Sequence, residues 1–427
     1  MLVIVLWVAL GLVTIALYFA NSMNYELTAS DNRVNGLAAE QAIEGAARYV
    51  AFALQNFATN GAVPLNTQFK CAAVPVGNAK FWLIGRDPNA DNPTEPYFGL
   101  VDEGGKLNLN SVSTNVFQYL PNMTTDFAND IMDWRGTNGA VSLDYASLGY
   151  ADKNAPFETV DELKLVYGAT ENLLVGEDLN RNGVLDKNEK DLNGNGQLDP
   201  GLLEWVTVYT REPNFHSDGS SLTNVNTASA AKMRELLQAA GVSTSYVRAL
   251  TNARPYLGIM KFAITCRNAG MSSSDFANIY NSVTTTTNLY LRNRVNVNTA
   301  SADVLTALFM GANVDESTAE SAAQTLVSYR QQNPENLNSI AWLIDALGST
   351  SPVLTALAGG DYVTTHSYQF TADIAAVGAY GRGYRRVKFI FDVSDGAPII
   401  LYRQDLSRLG WALGDKVRET LVAKDTQ

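Results

Sequence analysis

The sequence predicts an α+β fold with a long amino-terminal helix, an antiparallel sheet split between the two ends of the chain, and a large α-helical domain inserted into it. Three observations carry this prediction. Residues 1–25 contain no charged side chain, and no proline occurs before Pro64. Strand-like runs occur within residues 80–102 and again from Tyr362 to Arg403. Between them, residues 113–175 and 228–350 follow mostly helical spacing, and an Asp-, Asn- and Gly-rich loop covers 176–201.

Met1–Ala20 is almost wholly apolar. Twenty helical residues rise about 30 Å, the thickness of a bilayer core, so this segment reads as a membrane anchor. The apolar run begins at Met1 and the first basic residue is Arg33, so the basic start of a cleavable signal peptide is not visible. Either the leader has been removed or the numbering starts inside a precursor. Beyond Ala20, Leu27, Leu37, Ala38, Ala42, Ile43, Ala46, Val50, Ala53 and Leu54 recur at spacings of three and four, an apolar stripe on a continuing helix. Glu26, Asp31, Glu40, Glu44 and Arg48 take polar positions, and Thr59-Asn60-Gly61 with Pro64 supplies the stop. A simple anchor followed by a linker is the plain reading. The unbroken amphipathic extension favours a pilin-type stem that first sits in a membrane and later packs in a filament.

The remaining segments follow in order. Lys80–Gly85 and Pro96–Val101 read as strands around a polar turn. Val116–Leu120, Asp126–Arg135 and Thr159–Tyr167 read as short helices, and Leu202–Thr210 as a strand that can join the sheet. Tyr362–Val377, Tyr384–Val393 and Pro398–Arg403 read as closing strands. In the second of these, Val387, Phe389 and Phe391 alternate with Lys388, Ile390 and Asp392, the pattern of a half-buried strand. The divisions are therefore 1–20 in the membrane, 21–60 as the amphipathic half of the same helix, 61–112 and 361–427 as sheet, 113–175 and 211–360 as inserted helical domain, and 176–201 as a loop.

An internal repeat marks the insert. Asn224-Val225-Asn226-Thr227-Ala228-Ser229-Ala230 recurs as Asn296-Val297-Asn298-Thr299-Ala300-Ser301-Ala302, with a looser copy at Asn108-Leu109-Asn110-Ser111-Val112-Ser113. Each precedes an apolar helix, where Asn, Ser and Thr satisfy free N–H groups. Helix-hairpin-helix or SAM-like repeats are the sharper reading. The hairpin Phe309–Val314 carries no basic cluster, and the net charge of −12 argues against nucleic acid.

The loop holds the strongest chemical motif. Asp178, Asn180, Asn182, Asp186 and Glu189 stand at positions 1, 3, 5, 9 and 12, with Gly183 at 6 and the Val184 carbonyl at 7. That is the oxygen spacing of a calcium loop. A second copy runs Asp191, Asn193, Asn195, Gly196, Gln197 and Asp199. Its twelfth position is Leu202, so Glu204 or Glu177 must supply the missing acid, or the site is weaker or absent. One calcium is expected, with a second left open. The copies start 13 residues apart, leaving no room for the helices of a sensor pair. A structural role for the cation follows.

Cys71 and Cys266 are the two cysteines, and a disulfide between them and two buried thiols stay equally open. His216 and His366 show no zinc spacing and no nucleophile partner, so no catalytic site is expected.

Several segments together resemble general secretion pathway protein K, the GspK family of large minor pseudopilins of type II secretion. They are Met1–Val8, Val101–Asn110, Asp133-Trp134-Arg135, Asn154–Leu163 and Val295–Ala302. Their order along the chain carries the resemblance. It implies a pilin-like fold with a large helical insert, calcium binding, and a place at the tip of a periplasmic pseudopilus with minor pseudopilins I and J. It also implies an inner-membrane anchor with the bulk of the chain in the periplasm, contact with the secretion-system assembly platform, and processing and methylation of the amino terminus. Most pilin-type subunits carry Glu at mature position five. Here Val5 stands there if Met1 is the mature start. An unpaired carboxylate would cost about 2.5–3.5 kcal/mol at the bilayer centre. A tip subunit has no neighbour above to pair it. The rivals are a type IV minor pilin or tip adhesin, and a membrane-anchored calcium-dependent surface protein.

Overall fold

The computed structural model describes residues 2–90, 93–136 and 145–423. Met1, whose status as mature terminus the sequence leaves open, lies outside them. Helix α1 runs Leu2–Phe57. It is long and apolar enough to cross a membrane, and residues 2–35 bury no side chain. From Gly36 onward one face, Gly36, Ala39, Ala42, Ile43, Ala46, Ala47, Val50, Ala53 and Leu54, is buried. The small residues in this row let the helix lie close on a sheet. Leu27 and Leu37 of the expected stripe are instead 62% and 54% exposed. Leu27 precedes the sheet, and Leu37 sits about 100° round the helix from Gly36. The helix stops at Asn60 and Gly61, both with positive φ. A Cβ on Gly61 would stand 2.7 Å from His366 Cβ, so only glycine passes there.

The sheet contains β1 (Val74–Val76), β2 (Ala79–Ile84), β3 (Val101–Asp102), β4 (Gln369–Val377), β5 (Arg385–Asp392) and β6 (Ile399–Asp405). The order is β1-β2-β4-β5-β6, with β3 also on β4, and every pair is antiparallel. The expected strand Pro96–Val101 shortens to β3 plus a single bridge from Phe98 to Ile84. Phe81, Leu83, Phe370, Ile374, Val387, Phe389 and Phe391 form one core with α1. The half-buried expectation for β5 fails on the other face, because Arg386, Ile390 and Asp392 are buried as well. Loop and insert residues cover that face.

The insert is built from three copies of one small device. Leu107–Asn108 pairs in parallel with Val206–Thr207, Thr223–Asn224 with Val283–Thr284, and Val295–Asn296 with Val363–Thr364. In each copy the Asn Oδ1 accepts the N–H two residues ahead, from Asn110, Asn226 and Asn298. In each partner the Thr Oγ1 accepts the N–H two residues on, from Tyr209, Thr286 and His366. The second Asn then ties down a distant segment: Asn110 both groups of Phe157, Asn226 both groups of Tyr256, and Asn298 Leu337 O and Trp342 Nε1. Ser229 and Ser301 cap the following helices, whereas Ser113 makes no such bond. All three copies share one apolar core.

This pairing corrects the expectation for Leu202–Thr210. Leu202–Glu204 forms a 3-10 turn, and Val206–Thr207 pairs within the insert rather than joining the main sheet. Leu202, Trp205 and Val206 drive this by burying in the insert core. Residues 107–112 and 363–364 likewise lie with the insert, and Gly414–Ala423 is a helix where sheet was expected. The hairpin joining Ala302–Gly311 to Glu316–Gln332 packs on Asn115 and Val116. Cys71 and Cys266 are both buried free thiols, with no disulfide between them. His366 stacks on Tyr280 and bonds Glu212 and Asn281, a structural role.

Candidate metal centre

The loop is clasped at its neck, where Gly176 bridges Pro200 and the Glu177 N–H donates to Asp199 O. Its positive-φ residues include Arg181, Gly183, Gly194 and Gly196. Gly183 and Gly196 are the sixth residues of the two copies, where the chain must turn back toward a centre.

In the first copy Asp178, Asn180, Asn182 and Val184 are buried, and Asp186 and Glu189 partly so. Asp178 accepts N–H bonds from Asn182 (2.9 Å) and Gly183 (2.8 Å). Glu189 accepts from Asn180 and Asp186, both at 3.0 Å, so the twelfth residue closes the loop with both oxygens. Asn180 and Asn182 each present an amide nitrogen to Asp186 Oδ2, at 2.5 and 2.9 Å. The Asn180 Oδ1 is buried with no partner. Asn182 Oδ1 accepts the Val184 N–H at 3.0 Å, which holds that amide with its nitrogen toward Asp186. Burial pushes the Asp178 carboxyl above its usual range, against the pull of Arg86. Glu189 is raised too, first by burial and further by Asp178 and Asp186. A divalent cation would reverse both penalties. The residues therefore fit a hard, oxygen-seeking ion.

The second copy repeats the geometry at the surface. Asp191 accepts from Gly194, Asn195 and Gly196, and these bonds, Gly196 foremost, hold its carboxyl below the usual range. Asn193 and Asn195 both donate to Asp199 Oδ2. Gln197 donates its N–H to Asn195 Oδ1, and its side chain is exposed. Leu202 is buried in the insert core and offers nothing. Of the two substitutes, Glu204 pairs with Arg86 at 2.9 Å. Glu177 instead takes the closing position, accepting from Leu192 (2.5 Å) and Asp199 (3.0 Å). It precedes both loops in sequence, so a forward search for a twelfth-position acid passes over it.

Among the described residues, no three His, Cys, Asp or Glu side chains gather as a ready-made metal cluster. Beside their carboxylates both copies carry amide and backbone carbonyl groups, the donor types that a calcium loop uses.

The loop is also gripped from the sheet. Arg386 on β5 is fully buried, pairs with Asp373 on β4 at 2.5 Å, and donates to the carbonyls of Asn180 and Arg181. Arg86 reaches the Arg181 carbonyl from just beyond β2, at 3.2 Å. Asn180 donates to Trp411 O, and Lys187 pairs with Asp415 on the last helix. Nothing in the sequence pattern marks Arg386 as the residue that holds this loop.

No family model matches the chain, and no curated protein matches it. Among solved structures, the chain is similar to the GspK-GspI-GspJ complex from the enterotoxigenic Escherichia coli type 2 secretion system. The TM-score is 0.41 at 10% identity, covering 86% of this chain and 96% of that chain.

Proposed function

We propose that this chain is a structural minor pseudopilin of a type II secretion system, anchored in the inner membrane with its bulk in the periplasm. The observation that carries the proposal is the division of α1. Residues 2–35 bury nothing, while residues 36–54 are fixed on an antiparallel sheet. Such a helix can first sit in a bilayer and then exchange lipid for the helices of neighbouring subunits. The resemblance of the sequence motifs to the GspK family agrees with this reading. On it, minor pseudopilins I and J are the partners, and the subunit starts or caps the pseudopilus before extraction by the assembly platform. If Met1 is the mature start, Val5 removes a charge that a tip subunit could not pair, and the insert adds bulk against further addition above it. Calcium is structural in this account: Asp178, Asn180, Asn182, Val184, Asp186 and Glu189 hold one ion, and Asp191, Asn193, Asn195, Gln197, Asp199 and Glu177 a second.

Co-purification tests the assignment. The full chain should isolate with pseudopilins I and J at one copy each, and deletion of residues 21–57 should abolish the complex. Retention of both partners by the deleted chain would contradict it. Val5→Glu should impair assembly or secretion; normal function in that variant would remove position five as a mark of the tip.

A further inference from the structure

Six Asn-Gly steps occur in the chain. Glycine has no Cβ to hinder approach, so its backbone nitrogen reaches the preceding asparagine's side-chain amide carbon more readily than any other residue's. A C–N bond forms there as ammonia leaves. Water then opens the resulting succinimide to aspartate or isoaspartate. The reaction needs a glycine N–H and a side-chain amide that both come free.

The structure separates these steps. Asn138-Gly139 lies outside the described residues. Gly36 is buried within α1, where a Cβ would stand 3.0 Å from Arg385. Gly61 is wedged against His366. Gly183 is buried, and a Cβ on it would stand 2.9 Å from Arg86. Asn193, Gly194, Asn195 and Gly196 are all exposed, and among the described residues nothing stands within 4 Å of a Cβ built on either glycine.

The reactive groups of these last two steps are held by the second loop itself. The Gly194 and Gly196 N–H groups donate to the two oxygens of Asp191, at 2.6 and 2.7 Å. Asn193 Oδ1 accepts the Asn195 N–H (2.9 Å), Asn195 Oδ1 accepts the Gln197 N–H (2.7 Å), and both amide nitrogens rest on Asp199. All of these partners lie within residues 191–199, so one local opening frees both steps together. Freeing Asn182-Gly183 also requires release of the Arg86 and Arg386 bonds to the first loop.

We propose that Asn193-Gly194 and Asn195-Gly196 form a site of spontaneous deamidation whose rate is set by opening of the second loop. Aspartate at either place keeps an oxygen donor where a calcium loop takes Asp or Asn. Isoaspartate routes the main chain through the side-chain carbon, adds one backbone atom and breaks the turn. Attack requires the open form, so a cation bound only to the closed loop slows it, about 100-fold at a concentration of 100 Kd. This cation dependence rests on the calcium reading above; the site itself does not.

The full chain in detergent would be held at neutral pH with calcium or with a chelator, sampled over time, and digested after Lys and Arg in mild acid. Mass spectrometry then follows two peptides, 191–211 with both exposed steps and 182–187 with the buried one. Under chelation, 191–211 should gain the amide-to-acid mass at least about tenfold faster than 182–187, with the gain located at residues 193 and 195. Calcium should slow it at least about tenfold. Asp191→Ala, which releases both glycine N–H groups, should restore the fast rate with calcium present, while a slow 182–187 shows that the rest of the fold stands. Equal or slower gain in 191–211 than in 182–187 under chelation would overturn the site. Fast gain that calcium leaves unchanged would overturn the cation gate alone.

Discussion

The two faces of the central sheet are covered by different chemistry. Toward α1 the strands present Phe81, Leu83, Phe370, Ile374, Val387, Phe389 and Phe391 to a row of small and aliphatic helix residues. Toward the insert the same strands present Gln369, Thr371, Asp373, Arg386, Lys388 and Asp392. Each of these except Lys388 is bonded to a partner: Gln369 and Asp392 to Arg211, Thr371 to Glu103, Arg386 to Asp373 and the 176–201 loop. The apolar face resembles a domain core, non-directional and tolerant in detail. The polar face is a set of directional contacts that fixes one docking of the insert, and a lost partner there leaves a buried charge behind.

Variants can break this contrast, and the largest effect is expected on the polar side. Arg386→Met strands the Asp373 carboxylate and releases two loop carbonyls, and should cost about 3–5 kcal/mol in chemical denaturation. The double variant with Asp373→Leu should recover much of that loss, because no uncompensated charge remains. On the apolar side Ile43→Ala should cost about 2–5 kcal/mol, with no rescue by any charge change.

Acid sensitivity sharpens the comparison further along the polar interface. Burial alone would raise Glu212, but Arg294 at 3.2 Å, with His366, holds it at about 2. Its stabilising contribution is present above the ordinary glutamate value and is lost as pH falls from about 4.5 toward 2. Asp102 behaves oppositely. Burial pushes it up to about 6 despite bonds from Ser367, Thr299 and Gly104. Its folded form holds a proton more tightly than its unfolded form, so stability falls as pH rises from about 4 to 6. Glu212→Gln should flatten the acid limb below pH 4.5, and Asp102→Asn the slope between 4 and 6, both read from unfolding free energy against pH. The smallest effect belongs to the exposed pair Glu40–Arg385 (3.1 Å), where Glu40→Gln should change stability by no more than about 1 kcal/mol and less in high salt.

The sequence disclosed the apolar half of this architecture and hid the polar half. Helix α1 and its stop were legible because spacing and Asn60-Gly61 are local signals, and β5 was legible from its alternation. The cover on its second face was not, since Lys388, Ile390 and Asp392 look like any solvent-facing set until the loop is seen lying on them. The Asn-rich repeat was visible, but its parallel partners were two-residue Val-Thr segments, too short to stand out, and one lies about a hundred residues beyond its Asn. At the loops, the turn from Asp178 to Glu189 was legible because its acids, amides and Gly183 recur at the spacing of a calcium loop, and the structure closes it with Glu189 on the Asn180 and Asp186 N–H groups. Glu177 was named alongside Glu204, and only the fold distinguishes them, through the neck that brings residue 177 beside residue 199. Arg386 carries no signal for holding the loop, because what it grips there are backbone carbonyls about 205 residues away.

If the polar face depends on a metal-filled loop, removing calcium should loosen the insert from the sheet while leaving the α1 face intact. Hydrogen exchange of the full chain in detergent, with calcium and after chelation, tests this most directly. Faster exchange is predicted across residues 176–201 and in the backbone of Arg386 and Asp373, with residues 39–54 unchanged. Equal exchange in both states across the loop and these two strand positions would contradict the account.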